Sequence, residues 1–215
     1  MENKTGIFAT LEMLGVASLE TREIYAQSTR DVDGLTVYRD QMSDVIYIDD
    51  FYTGDETYQT GTYRQKTVHA GGTPTYEEFQ DAARRSEACR KFFSGKNILD
   101  FGCGKGEFLR AVAHETASCV GIELQQDAVD ALNRDGISCK TALSDIEDIS
   151  MDAVFSFHVI EHLPDPAKVL RELRSKLKEG GTLVIEVPHA RDFLLTKVES
   201  EPFRNFTLWS QHLVL

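Results

Sequence analysis

The feature that most constrains this chain is the stretch Asn97-Ile98-Leu99-Asp100-Phe101-Gly102-Cys103-Gly104-Lys105-Gly106-Glu107-Phe108-Leu109. An apolar run of strand type stops at an acid, and a glycine-rich turn opens directly into a helical pattern. Glycines at 102, 104 and 106 supply backbone freedom at positive φ and let a ligand approach the main chain. Strand, glycine turn and helix in that order are the context of a nucleotide-binding loop. A dinucleotide fingerprint would need glycine at position 107, where this chain carries Glu107. A carboxylate in the first helical turn repels a pyrophosphate seeking that helix N-terminus. The expected ligand carries an adenosine and no phosphates.

From residue 97 onward strand and helix patterns alternate: strands over 97–102, 117–122, 137–141, 152–158 and 182–187, helices over 106–114, 126–134 and 166–178. Short connections between alternating elements imply right-handed crossovers and a mostly parallel sheet covered on both faces. The expected class is therefore α/β, a Rossmann-like doubly wound sheet. Ligands of such sheets bind beyond the carboxyl ends of the strands, beside the first strand. Asp100, Glu123 and His158 all fall at strand ends.

The D-x-G-x-G-x-G pattern resembles motif I of the class I S-adenosylmethionine-dependent methyltransferases. Three further stretches are similar to that family in the same order. Val120-Gly121-Ile122-Glu123 looks like its second strand, Asp152 to Leu163 like its fourth strand with an E-H-L signature, and Gly180 to Pro188 like its fifth. The resemblance covers about residues 95–190 and implies S-adenosyl-L-methionine as cofactor. It implies that Asp100 holds the methionine ammonium, with Gly102, Cys103, Gly104 and Gly106 making room for the methionine. Glu123 would accept the ribose hydroxyls, Leu124 would pack on the adenine, and Asp145 would reach the adenine amine. Asp145 reads equally as part of a solvated acidic loop with Glu147 and Asp148.

His158 faces the methyl-transfer space by the same analogy; as a lone histidine it could instead cap the strand. Its ordinary pKa, about 6.5, suits a base. Glu161 and His162 admit three readings: a structural pair, a source of the catalytic base, or a metal pair. Some quinone-precursor O-methyltransferases use a similar E-H pair for a divalent metal, in which case Asp165 would add a ligand. The expected catalytic residues are His158, Glu161 and His162, with no metal; His189 is a second candidate base. The acceptor implied is a small molecule, in the first place a sugar or glycan precursor and otherwise a phenolic compound, methylated at oxygen. Two alternatives stay open. One is a non-catalytic S-adenosylmethionine-binding module or inactive fragment, and the other an NAD(P)-dependent oxidoreductase. The second lacks its third glycine and a Tyr-x-x-x-Lys pair.

Lys and Arg number 23 against 35 Asp and Glu, a net charge of −12 that disfavours nucleic acid as partner. The four cysteines show no C-x-x-C pairing and read as reduced thiols of a cytoplasmic protein. No apolar stretch approaches a membrane span, and the N-terminus shows no signal peptide.

Residues 1–73 read as an N-terminal extension and 74–215 as the methyltransferase core. Two short helices are expected over 6–28, followed by a β-hairpin over Leu35–Arg39 and Asp44–Asp49. Phe51, Tyr52, Tyr58 and Tyr63, set among Thr and Gly over 50–73, suggest a substrate lid. Thr75 and Glu78 form a capping-box signature, and Tyr76, Phe79, Ala83, Cys89 and Phe93 trace the packed face of the helix that follows. A helix is expected over His189–Glu199. The chain then stops in Leu213-Val214-Leu215, so the core is expected to be incomplete there. A sheet edge left uncovered in this way predicts a homodimer.

Overall fold

The computed structural model describes residues 6–49, 51–60 and 75–215. In chain order the helices are α1 Ile7–Met13, α2 Asp55–Gln59, α3 Tyr76–Phe93, α4 Glu107–Val112, α5 Gln126–Arg134, α6 Pro166–Lys176, α7 Phe193–Thr196 and α8 Glu201–Thr207. The strands are β1 Arg22–Ala26, β2 Val37–Asp40, β3 Ile46–Ile48, β4 Asn97–Phe101, β5 Ser118–Ile122, β6 Ser138–Lys140, β7 Met151–Phe157 and β8 Leu177–Glu186. They fall into two compact units. One draws on Met1–Thr53, His158–Val169 and Glu186–Leu215, the other on Gly54–Phe157 and Leu170–Ile185.

The second unit is built on a five-stranded sheet of order β6-β5-β4-β7-β8, the expected Rossmann-like parallel arrangement. β4 lies at its centre because Ile98 and Leu99, on opposite faces, are both fully buried. The strand order runs outward from β4 through β5 one way and through β7 the other. That reversal opens the crevice at the carboxyl end of β4, the end that carries Asp100. Asp152 ties the opposite end, accepting the Asn97 amide at 2.8 Å and pairing with Lys178 at 2.8 Å. One face of the core is aromatic. Phe108 stands 5.0 Å from Phe155, 4.9 Å from Phe157 and 6.1 Å from Phe93, ring centre to ring centre.

α3 starts as the sequence signature requires: the Glu78 amide donates to Thr75 Oγ1, and the Thr75 amide donates to the Glu78 carboxylate at 2.7 Å. Its apolar stripe is buried only toward the C-terminal end. Cys89 and Phe93 are buried as expected, but Tyr76, Phe79 and Ala83 are exposed and Ala82 is buried instead, so the face expected from residue 76 onward is corrected. α6 ends two residues earlier than expected, and β8 begins at once, with Gly180 inside the strand at φ +72°.

In the first unit α1 stops at Gly15, which takes φ +70°. The second helix expected over 6–28 is replaced by β1, because Arg22, Glu23 and Ile24 find antiparallel partners in Asp40, Arg39 and Tyr38. The expected hairpin forms as β2 and β3, with Val37 opposite Ile48. Residues 213–215 extend this sheet: Ile48 donates to the Leu213 carbonyl at 3.0 Å and Leu215 to the Ile46 carbonyl at 2.8 Å. Ile7, Leu11, Tyr47 and Leu213 bury one face together. Of the helix expected over 189–199 only the single turn α7 forms, started by the Asp192 side chain; α8 is a separate helix beyond that range, capped by Ser200. Of the residues proposed for a lid, Tyr58 lies in α2, while Tyr63 lies outside the described residues.

Asp40 holds this unit's turns together. Burial would raise its pKa, but bonds from the Thr21 hydroxyl and from the Ser43, Met42 and Ser18 amides bring it down to about 2. A depressed carboxylate stabilises the fold above its unfolded pKa, near 3.9, and that stability is lost as pH falls toward about 2. Asp40→Ala, which strands several buried donors, is expected to destabilise the protein by about 3 kcal/mol in urea titration at pH 7.

Candidate functional site

The glycine turn after β4 is pinned by one carboxylate. Glu123 follows β5, is 7% exposed, and accepts the Gly104 amide through Oε2 at 2.9 Å and the Gln125 amide through Oε1 at 3.0 Å. β4 and β5 pair in parallel, with Phe101 opposite Ile122, so the two strand ends arrive side by side. The Gly102 and Cys103 amides donate to the Ile122 carbonyl, and the Gly106 amide to the Cys103 carbonyl. Cys103 turns inward, its Sγ 3.7 Å from Cys139 Sγ, and that contact together with burial pushes its thiol pKa up. Gly121 is the residue that leaves room for this sulfur; a Cβ there would lie 3.0 Å from Leu109 Cδ1 and closer still to Cys103.

Asp100, the last residue but one of β4, is 3% exposed. Burial pushes its carboxyl up to about 7; Arg85 opposes the shift, and Glu107 and Glu123 add to it. A cation arriving in this acidic cradle would relieve that penalty. Glu107 opens α4, and its Oε1 is buried with no hydrogen-bond partner. Leu124 is 45% exposed beside Glu123, available to an apolar ring. Asp145 sits exposed in a 3-10 turn, its carbonyl accepting Lys140 Nζ at 2.7 Å.

A raised carboxylate pKa destabilises the empty fold. The native state keeps its proton to about pH 7 and the unfolded chain releases it near 3.9, so stability falls as pH rises between them. Asp100→Asn is therefore expected to raise the melting temperature of the ligand-free protein at pH 8 and leave it nearly unchanged at pH 4. Differential scanning calorimetry at the two pH values checks this.

In the first unit a second cluster forms around the E-H-L segment. His158 follows β7 at φ +55°, a left-handed conformation costing about 1–2 kcal/mol for such a side chain. Its amide donates to the Glu186 carbonyl at 2.8 Å, which holds that turn. Its ring lies between two carboxylates, Nδ1 3.3 Å from Glu161 Oε1 and Nε2 3.3 Å from Glu186 Oε1. Glu161 is 1% exposed, and neither of its oxygens accepts a hydrogen bond of good geometry. His162 places Nδ1 2.7 Å from the Gln211 carbonyl and Nε2 3.9 Å from Glu161 Oε1. His212 places Nδ1 2.8 Å from the Thr207 carbonyl; burial and the neighbouring His162 press its pKa down to about 4.

His189 is exposed, and its Nδ1 accepts the Arg191 amide at 2.9 Å, a turn contact outside this cluster. Asp165 caps α6 by accepting the Lys168 amide at 2.9 Å. Glu186 and His212 were missed by sequence reasoning. Glu186 ends a strand as Glu123 follows one, a usable signal. His212 lies 50 residues beyond His162, and only a fold brings the two together.

Comparison with protein families matches residues 76–213, 138 of the 215, to the methyltransferase domain family. The chain belongs to that family. A methyltransferase domain of this class takes its methyl group from S-adenosylmethionine, and the match sets aside the NAD(P)-dependent alternative. A ubiquinone biosynthesis O-methyltransferase of Ralstonia nicotianae is 30% identical over 121 residues, 50% of each chain. One of Thiobacillus denitrificans is 32% identical over 120 residues, 50% of this chain and 52% of that one. The chain thus spans about half the length of the curated relatives it matches. A methyltransferase structure from Archaeoglobus fulgidus is 24% identical, covers 67% of this chain and 65% of its own, and has a TM-score of 0.49. Among the described residues no helix is long and apolar enough to cross a membrane.

Proposed function

We propose that this chain transfers the methyl group of S-adenosylmethionine to an oxygen of a small acceptor, a phenol or a sugar hydroxyl. The observation that carries the reading is Glu123. Its buried carboxylate anchors the glycine turn at Gly104, and each of its oxygens keeps a lone pair for a ribose hydroxyl. Asp100 receives the methionine ammonium, and Gly102, Cys103, Gly104, Gly106 and Leu124 line the rest of the cofactor, with Asp145 toward the adenine amine. The names of the relatives favour a phenolic acceptor over a sugar.

In the step itself an acceptor oxygen attacks the methyl carbon in line. The O–CH3 bond forms as the C–S bond breaks, the sulfur keeps the electron pair as S-adenosylhomocysteine, and the acceptor's proton leaves. His158 is the base in this reading. Glu161 at Nδ1 fixes the ring and stabilises the imidazolium, while Nε2, on a side chain 48% exposed, exchanges Glu186 for the acceptor hydroxyl. His162 acts as a positioning residue through the Gln211 carbonyl. A cytoplasmic setting and a homodimer belong to the same reading, the latter checked by light scattering.

The test is methyl transfer from isotopically labelled S-adenosylmethionine to catechols and to hexose hydroxyls. Wild type is expected to label one class. His158→Gln is expected to lower kcat by about 10²- to 10⁴-fold with S-adenosylhomocysteine affinity unchanged. Full turnover in His158→Gln would remove the base, and labelling of neither class would remove the acceptor assignment.

A further inference from the structure

Two thiols meet at the glycine turn, and no step of the methyl transfer uses their sulfur chemistry. Cys103 Sγ and Cys139 Sγ lie 3.7 Å apart, both residues buried and both thiols free. We infer that the pair is a reversible dithiol–disulfide site, whose oxidation by a hydroperoxide draws the glycine turn out of its binding geometry. That the turn holds the cofactor rests on the reading above; the cross-link itself does not.

The contact is built into the sheet. Cys103 follows β4 and Cys139 lies on β6, with β5 between those two strands. The sulfurs meet at Gly121 of β5, which pairs in register with Cys139. A Cβ at Gly121 would lie 2.5 Å from Cys103 Sγ and 3.2 Å from Cys139 Sγ, so any side chain there would push the sulfurs aside. Main-chain bonds hold both cysteines in place. Asn133 accepts the Cys139 amide at 2.9 Å and donates to its carbonyl at 3.0 Å. The Cys103 amide donates to the Ile122 carbonyl at 3.0 Å, and the Cys103 carbonyl accepts the Gly106 amide at 2.9 Å.

A buried thiol in apolar surroundings is inert. Here the Cys103 S–H donates toward Cys139, which holds the Cys139 thiol below its ordinary pKa and raises that of Cys103. Cys139 is therefore the attacking sulfur. Exposures of 8% for Cys103 and 4% for Cys139 restrict the oxidant to one as small as hydrogen peroxide. Cys139 Sγ takes one peroxide oxygen as the O–O bond breaks; the other oxygen leaves as water with the thiol proton, and a sulfenic acid remains. Cys103 Sγ then attacks Cys139 Sγ, the S–S bond forms, and the sulfenic hydroxyl departs as water with the Cys103 proton. Each sulfur gives up one electron, and the peroxide takes both.

Bonded sulfurs lie well inside 3.7 Å, so closure draws the turn toward β6. Gly104 is the next residue, and its bond to Glu123 Oε2 at 2.9 Å is the one that closure strains. Coupling is reciprocal, so a ligand seated on the turn opposes the cross-link.

The experiment exposes the full chain to hydrogen peroxide, with and without S-adenosylhomocysteine, then alkylates the remaining thiols and weighs intact and protease-cut protein. The expected product has lost two hydrogens, joins the Cys103 and Cys139 peptides, and is reversed by dithiothreitol. S-adenosylhomocysteine should slow its formation about tenfold, and the oxidised protein should bind that ligand about tenfold more weakly than the reduced one. Cys139→Ala should form no cross-link and keep its ligand affinity through the peroxide treatment. Cys139→Ser, closer in shape, makes the same test if the alanine variant does not fold; Cys119→Ser should cross-link as wild type does. Sulfinic acid without a cross-link, a cross-link between other cysteines, or an oxidised protein that binds as tightly as the reduced one would each overturn the inference. Reduced wild type that takes up no S-adenosylhomocysteine would overturn the cofactor reading instead, and the mass of the cross-link would still decide the thiols.

Discussion

Glu123→Ala is expected to raise the dissociation constant for S-adenosylhomocysteine about 100-fold while the protein stays folded. The carboxylate does two jobs that no neighbour duplicates. It accepts the Gly104 and Gln125 amides at 2.9 and 3.0 Å, and it offers the ribose its remaining lone pairs. Hydrogen bonds to a charged group are worth about 1.5–3 kcal/mol each, so losing the ribose pair accounts for a factor near 100 even at the low end of that range. Release of the turn adds to it. Glu123→Gln separates the contributions, because the amide oxygen can still hold Gly104 while the second acceptor is gone. Calorimetric titration of the three proteins should give affinities in the order wild type, Glu123→Gln, Glu123→Ala. Equal affinities across the series would place the ribose elsewhere.

The second large effect is on stability. Gly106 takes φ +78°, and a Cβ there would press into Leu132 Cδ2 and lie 3.1 Å from Cδ1. Leu132 lies on the buried face of α5, fully enclosed in the core, so it has little room to retreat. Left-handed backbone costs an alanine about 1–2 kcal/mol, and overpacking a filled core costs about 1–3 more. Gly106→Ala should therefore lose about 3–5 kcal/mol in urea unfolding. Gly136→Ala is the control: it shares the strain at φ +82° but meets no atom within 4 Å, so only about 1–2 kcal/mol should be lost. A Gly106→Ala loss no larger than that of Gly136→Ala would mean that Leu132 repacks freely.

These expectations show where sequence speaks and where it falls silent. The parallel core was legible because Ile98-Leu99 and Val154-Phe155 are apolar runs that only a strand buried on both faces explains. The places of Asp100 and Glu123 in the sheet were legible because the end of a strand is a fixed place in such a sheet. β1 was misread as helix because Ile24 is 60% exposed and carries no burial signal; its strand character comes from partners in β2. Tyr76 and Phe79 mimicked a packed stripe by spacing alone, and nothing in spacing reports which end of a helix is covered. The histidine cluster was half legible. Glu161 and His162 stand adjacent in sequence, but His212 joins them through residues 213–215 pairing with β3, a contact between distant segments. The carbonyls of Gln211 and Thr207 that set the imidazole tautomers are main-chain groups and leave no trace in side-chain identity.

The most direct test of the cofactor assignment is calorimetric titration of the folded chain with S-adenosylhomocysteine, with NAD as the comparison ligand. One site for S-adenosylhomocysteine and no heat with NAD is the predicted result. NAD binding, or a folded protein that takes up neither, would contradict the account.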